Sequence, residues 1–228
     1  MNFIKSKKGA IGIGTLIIFI ALVLVASIAA AVIINTAANL QHKAARVGEE
    51  STKQVASGIQ VIKVVGYTPD KKSITKMLIF ISPNVGDEID LSTLIVTLSD
   101  GVKKISLVYD NNSYLYTPAL DGLNGLFTST VANDSVWTPL ANDIKATNDG
   151  GYFGIIVLQD GDGSLNNTAH PTANFGDKVA LAVDLSDLNM QITPREKVYG
   201  EVIPEYGASG IIEFYAPSTF TENIVPLQ

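Results

Sequence analysis

"AIGIGTLIIFIALVLVASIAAAVIIN", from Ala10 to Asn35, carries no charged residue and follows closely on Lys5, Lys7 and Lys8. At about 1.5 Å of rise per residue, a helix from Ala10 to Ile34 reaches roughly 37 Å, against a bilayer hydrocarbon core of about 30 Å. The run is long enough to cross a membrane. It exceeds the apolar stretch of about 7–15 residues found in a discarded secretory signal, although "ASIAAAVIINTAA" offers small-residue cleavage sites further along. Three lysines before the run, with only Lys43 and Arg46 well beyond its other end, predict a cytoplasmic N-terminus and a translocated remainder.

The helical pattern does not stop at the far edge of that run. No proline occurs before Pro69, and Leu40, Ala44, Val47, Ser51, Val55, Ile59 and Ile62 recur at steps of three and four. Glu49 and Lys53 form a favourable four-residue pair on the other face. The spacing predicts one helix over residues 10–66, far longer than the average globular helix of about 11–12 residues. A domain of this size cannot cover such a helix. Two readings of it stay open on the residues alone: a membrane anchor with a stalk, or a subunit whose helix is buried against copies of itself.

Beyond Tyr67 the chain turns to Thr, Val, Ile, Tyr, Gly, Asn and Asp. Short apolar runs stand at "KMLIFIS", "TLIVTLS", "VKKISLVY", "YFGIIVL", "KVALAVDL", "KVYGEVI" and "GIIEFYA", separated by turn signals such as "PNVGDE", "SDG", "NDGG" and "DGDG". The fold class expected is α+β: a long N-terminal helix, then an antiparallel β-sandwich or barrel of immunoglobulin-like size over residues 67–228. "SDG" at Ser99–Gly101 predicts a hairpin. Residues 111–144 read as a surface excursion, with Trp137 anchoring it to the sheet.

Composition narrows the function. The 228 residues hold 16 basic and 22 acidic side chains for a net charge of −6, with the basic ones scattered, which argues against nucleic acid as a partner. Cysteine is absent, so neither disulfides nor thiolate metal sites hold the chain together. Both histidines, His42 on the helix and His170 before Pro171, lack a nucleophile in a recognisable setting, and no Gly-rich phosphate loop follows a strand. No enzyme is expected. Asn-x-Ser/Thr sequons at Asn111, Asn133 and Asn166 lie in polar, turn-like surroundings and point to a glycosylated surface protein.

One stretch has the composition of a cation loop. In "LQDGDGSLNNT", Leu158–Thr168, Asp160, Asp162 and Ser164 alternate with Gly161 and Gly163, which brings oxygen ligands around one hard cation, as the first part of an EF-hand loop does. The bidentate glutamate of an EF-hand is missing, because Pro171 stands eleven residues after Asp160. An acidic solvated turn is the other reading. Oxygen-only ligands suit calcium better than zinc.

"KSKKGAIGIGTLIIFIA" resembles the N-terminus of an archaeal flagellin, or archaellin, and the likeness runs through the helix to "GIQVIKVVGY" at Gly58–Tyr67 and more loosely through the rest. This family resembles type IV pilins, so the resemblance implies that residues 1–9 are a prepilin-like (class III) signal peptide. A membrane prepilin-type peptidase would cut between Gly9 and Ala10. Bacterial pilins carry glutamate at the fifth mature position, where this chain has Gly14, which leaves an archaeal adhesion pilin as the runner-up. A monomeric, membrane-anchored surface binding domain is the third reading. The implied function is a subunit of the archaellum filament used for swimming: first a precursor in the cytoplasmic membrane, then part of an extracellular homopolymer turned by motor and base components. Archaellin-like outer domains also resemble one another in holding a structural cation, which carries over to Asp160, Asp162 and, beside them, Ser164 and Asn166.

Overall fold

The computed structural model describes residues 4–84, 88–116, 125–127, 136–140 and 151–228. It divides into two compact units, residues 1–51 and 52–228. The first is made of helix α1 (Ile4–Ala56), whose residues from 52 onward count with the second unit. Its polar residues bond back onto their own helix: Thr15 Oγ1 donates to the Gly12 carbonyl at 2.9 Å, Ser27 Oγ to Val23 at 2.8 Å and Thr36 Oγ1 to Ile33 at 2.9 Å. Such bonds let hydroxyls sit in an apolar medium without an outside partner. On the charged half, Arg46 Nε meets Glu50 Oε1 at 3.0 Å.

The helix expected over 10–66 ends earlier. It stops at Ala56, and Ile59–Tyr67 is strand β1. Ile59, Val61, Ile62, Val64 and Val65 are β-branched, stiff about χ1 and better suited to a pleated surface. Val55, Ile59 and Ile62 continue the helical spacing by coincidence; pairing with neighbouring strands outweighs it.

Among the described residues the second unit holds a curled sheet of nine strands and a separate pair of two. In chain order the strands are β1, β2 (Lys76–Pro83), β3 (Ile89–Asp90), β4 (Ile95–Ser99), β5 (Lys104–Tyr116), β6 (Gly151–Gln159), β7 (Thr172–Ala173), β8 (Lys178–Asp184), β9 (Lys197–Ile203), β10 (Gly210–Tyr215) and β11 (Ile224–Pro226). The main sheet runs β10-β9-β4-β5-β6-β8-β2-β1-β11, and β3 and β7 pair separately. All seven strands expected from the sequence are present, and Ser99–Gly101 turns β4 into β5 with the Asp100 carboxylate accepting from the Val102 and Lys103 amides. The sheet departs from an all-antiparallel expectation at one place, where β5 and β6 run parallel. The long connection between them allows this, since parallel neighbours need a crossover.

The two ends of the sheet come together. Ile59 N donates to Ala208 O at 3.0 Å and Ala208 N to Ser57 O at 3.1 Å. The Gln228 side chain spans to β10, accepting from Glu213 N at 3.0 Å and donating to Ile211 O at 3.3 Å. Gly207 makes the seam feasible: its φ is +92° and a Cβ there would lie 2.1 Å from Ser57 O.

Inside the curl lies the larger core, built from alternate residues such as Met77, Ile79 and Ile81 of β2, Phe153 and Ile155 of β6, and Leu181 and Val183 of β8. The intervening Leu78, Phe80, Ile156, Ala180 and Ala182 face outward yet are buried, because Leu126, Phe127, Val136, Trp137 and Leu140 from the β5–β6 connection cover them. Trp137 is the anchor expected from the sequence. Its Nε1 donates to Leu126 O at 2.7 Å, Phe127 stacks between it and Tyr67 with ring centroids 5.8 and 5.1 Å away, and Lys76 Nζ lies 4.7 Å from its ring centre. Burial lowers the Lys76 pKa, opposed by the charges of Asp184 and Asp187. Trp137→Ala should therefore destabilise the β domain by about 3–5 kcal/mol, the usual cost of removing a large buried aromatic, read as a lower midpoint in denaturant titration of the full chain.

Candidate functional site

Two features of the chain are built for more than its own folding. The first is α1 itself. Every described side chain from Ile11 to Glu50 is exposed, including Leu16, Ile20, Leu24, Ile28 and Ile33, with Ile11 at 68% and Phe19 at 67%. By length and composition the helix can cross a membrane. Apolar residues surround it on all sides over its first half, so no single face marks where a partner packs; a helix of this kind is stable only when enclosed by lipid or other apolar helices. Gly9 and Ala10 fall within the helical backbone, upstream of the first described side chain.

The second feature is the acidic loop after β6. Strands β6 and β8 are antiparallel and pair as far as Gln159 opposite Lys178. Asp160 and Asp177 stand one residue beyond that pair on their respective strands, which places them across from each other. The loop then turns through a short 3-10 helix at Ser164–Asn166 and returns through β7. Asp160, Asp162 and Asp177 each offer a carboxylate oxygen within 4.8 Å of the others.

Each carboxylate is fixed from behind by amides. Asp160 accepts from Gly163 N at 2.8 Å and Leu165 N at 3.3 Å, and Asp177 from Gly161 N at 3.2 Å and Asn174 N at 3.0 Å. Asp162 accepts from Ser164 N at 3.0 Å and from the Asn174 side chain. The Ser164 amide holds the Asp162 carboxyl below the usual aspartate range. Asp177 is only 1% exposed. Three acids converge, and the partners just named are amides rather than cations. The Tyr116 phenol, turned toward them, has its pKa raised by desolvation and by the charges of Asp160 and Asp177. Such a set fits a hard divalent cation, coordinated through the remaining lone pairs of the carboxylate oxygens.

The sequence-predicted ligands divide here. Asp160 and Asp162 belong to the cluster. Ser164 lies beside it, but its hydroxyl is engaged with the Thr172 carbonyl at 2.7 Å. Asn166 is exposed, its amide lying over Gly163. Asp177, which spacing within the loop did not suggest, is brought in by the β6–β8 pairing; the signal in the sequence is the "NFGD" turn immediately before "KVALAVDL". The loop is docked on β5 by Tyr109, whose phenol donates to Thr168 O at 2.8 Å, and by Tyr114, whose phenol donates to Leu165 O. Burial pushes both phenol pKa values up.

Asn111, read as part of a loop, lies in β5 with its side chain exposed; Asn166 is exposed on the 3-10 turn; Asn133 lies outside the described residues. His170 Nδ1 sits 3.0 Å from Asp90 Oδ2 and 3.2 Å from Ser92 Oγ. One ring nitrogen faces both groups, so the imidazole cannot relay a proton between them as a hydrolytic triad requires.

Comparison with known proteins gives a consistent result. A family model described as archaeal-type flagellin matches residues 9–214. The chain is 62% identical to flagellin B3 of Methanocaldococcus jannaschii, covering 100% of this chain and 99% of that one. It is 48% identical to flagellin B3 of Methanococcus voltae, again over 100% of this chain and 99% of the relative. The crystal structure of archaeal flagellin FlaB1 from M. jannaschii aligns with a TM-score of 0.60 at 31% identity, over 76% of this chain and 98% of that chain. The subunit in the archaeal flagellum of Methanospirillum hungatei shares the fold at 14% identity, with a TM-score of 0.61 over 94% and 98% of the two chains.

Proposed function

The chain belongs to the archaeal-type flagellin family, and from that premise we propose how its two parts serve a filament. It is a structural subunit of the archaellum, not an enzyme, and it assembles with other subunits of its kind into a filament on the cell surface. That assignment goes to neither an adhesion pilin nor a monomeric surface binding domain. The observation that carries the reading of its assembly is the unbroken exposure of apolar side chains along α1.

As a precursor the helix waits in the cytoplasmic membrane, its backbone hydrogen bonds satisfied internally. A prepilin-type peptidase cuts between Gly9 and Ala10 and removes Lys5, Lys7 and Lys8, the charges that hold the N-terminus on the cytoplasmic side. The freed helix then exchanges lipid for a bundle of identical helices, a medium of similar polarity. The same heterologous contact repeated by a rotation that does not close gives an open helix. The β domain, outside the bundle, forms the filament wall, and the base and motor components of the archaellum turn the whole.

A cation, most suitably calcium, held by Asp160, Asp162 and Asp177 ties the end of β6 to the start of β8. It would offset most of the charge of three carboxylates that otherwise repel, and so rigidify the loop that Tyr109 and Tyr114 press against β5.

Three outcomes test this reading. Gly9→Val should leave uncut subunits in the membrane and no filaments by electron microscopy; filaments whose subunits retain Lys5–Lys8 would refute the processing step. Ile20→Lys should abolish filaments while the subunit remains processed and its β domain folded, because burying an unpaired charge among helices costs several kcal/mol; normal filaments from this variant would mean α1 is not packed against its copies. Calcium at about 100 times its Kd should stabilise the β domain by roughly 2.7 kcal/mol. Chelator should lower the thermal midpoint of the wild type but not of Asp160→Ala/Asp177→Ala, and an equal effect on both would place the cation elsewhere.

A further inference from the structure

The sequons at Asn111 and Asn166 look alike in sequence, but the fold treats them differently. Along β5 the pairing with β6 is interrupted: Tyr109 lies opposite Phe153 and Tyr114 opposite Ile155, so Asp110, Asn111, Asn112 and Ser113 bulge against the single residue Gly154. Within this bulge Asn111 and Asn112 are exposed, while Ser113 is 0% exposed and Asp110 8%. The Ser113 hydroxyl donates to Asp110 Oδ2 at 2.5 Å, and the other oxygen of that carboxylate accepts from Asn112 N at 3.0 Å and Asn112 Nδ2 at 3.2 Å. Ser113 has no slack beneath it. A Cβ on Gly154 would come within 2.7 Å of the Ser113 carbonyl oxygen and 3.0 Å of its Cβ.

The sequon at Asn111 therefore presents its acceptor amide outward and its hydroxyl inward. In the other, Asn166, Asn167 and Thr168 are all exposed. A sequon needs Ser or Thr two residues after Asn, which means the transferase reads that hydroxyl as well as the amide. At Asn166 both are in reach. At Asn111 the hydroxyl can be read only if the bulge leaves the sheet, breaking the Asp110 bond and drawing Ser113 out of its seat.

We propose that Asn111 accepts a glycan only before β5 packs against β6 and retains it afterwards, whereas Asn166 remains open to glycosylation in the folded domain. The proposal rests on the export of the β domain put forward above. In each case the side-chain Nδ2 attacks the anomeric carbon of an oligosaccharide carried on a lipid phosphate. A C–N bond forms, the bond from the anomeric carbon to the phosphate oxygen breaks, the lipid phosphate departs with the electron pair, and the amide proton passes to a base of the transferase. Folding leaves the Asn111 side chain in solvent, so a sugar already attached fits without disturbing the core. Occupancy at Asn111 is thus set by the race between transfer and folding, and occupancy at Asn166 is not.

The test supplies the transferase directly and needs no export, so its failure would not reflect on localisation. Unglycosylated full chain in mild detergent, and the same protein cut by a lysine-specific protease, are each incubated with membranes containing a sequon-specific oligosaccharyltransferase and its lipid-linked oligosaccharide. Cleavage after Lys104, Lys145 and Lys178 puts Asn111 and Asn166 on separate peptides, and fragmentation mass spectrometry reads each site, distinguishing Asn111 from Asn133 within residues 105–145. In the intact chain Asn111 should be modified at least about tenfold more slowly than Asn166, since modification then follows the population of the opened state. In the peptides, where neither site is held by the fold, most of that difference should disappear. Asp110→Ala should speed modification of Asn111 in the intact chain and leave that of Asn166 unchanged. Equal rates in the intact wild type, or failure of Asn111 to react even as a peptide, would overturn the proposal.

Discussion

The apolar side chains of α1 stand open along the described helix. Full burial of a single Leu or Ile side chain is worth about 1.5–3 kcal/mol, and residues 11–34 contain more than a dozen large aliphatic side chains standing open. Even partial burial of that surface amounts to tens of kcal/mol per subunit, more than the roughly 5–15 kcal/mol that stabilises a typical domain. The helix therefore needs an apolar enclosure, and the proposed path takes it from lipid to a bundle of like helices. Lipid and a bundle of like helices are close in polarity, so the exchange between them is governed less by hydrophobicity than by packing and by the few charges at the ends. The proposed loss of a lysine-bearing leader would be a change of that kind. Thr15, Ser27 and Thr36, bonded to their own helix, add little cost in either setting.

The β domain meets a different demand, to be stable and soluble without disulfides. It does so by using both faces of its central strands. β2, β6 and β8 carry apolar residues at consecutive positions because the inner face fills the curl and the outer face lies under Phe127 and Trp137. Toward the β9–β10 wing the pattern reverts to alternation, with Val198, Val202, Ile212 and Phe214 inside and Tyr199, Glu201, Glu213 and Tyr215 outside. There an exposed Lys197–Glu213 pair at 2.7 Å crosses the strands. The seam at Gly207 and the Gln228 side chain satisfy strand edges that would otherwise be open to unintended pairing.

The acidic loop and the bulge of β5 form one neighbourhood. Tyr109 and Tyr114 reach from either side of the bulge to carbonyls of the loop, and Tyr116 turns toward its carboxylates. A cation in the loop would therefore act on the same strand whose packing hides Ser113. Three tyrosines of one strand thus join the acidic loop to the bulge.

Much of this was legible in the sequence where the signal is local. The uncharged run after the lysines, the seven apolar strand segments, the Ser99–Gly101 turn and the Asp160–Asp162 alternation each depend on residues close together in the chain, and backbone geometry with burial determines what they do. Tertiary structure decided what depends on partners far along the chain. Ile59–Val65 is strand rather than helix because β2 and β11 lie beside it, and a three-to-four spacing of apolar residues cannot distinguish the two when the run is short. Asp177 completes the acidic cluster because β6 and β8 pair in one register, a fact carried by neither turn alone. Asn111 and Asn166 share a motif, but only the packing of Ser113 against Gly154 separates them, since solvent access to a hydroxyl belongs to the folded surroundings and not to the tripeptide.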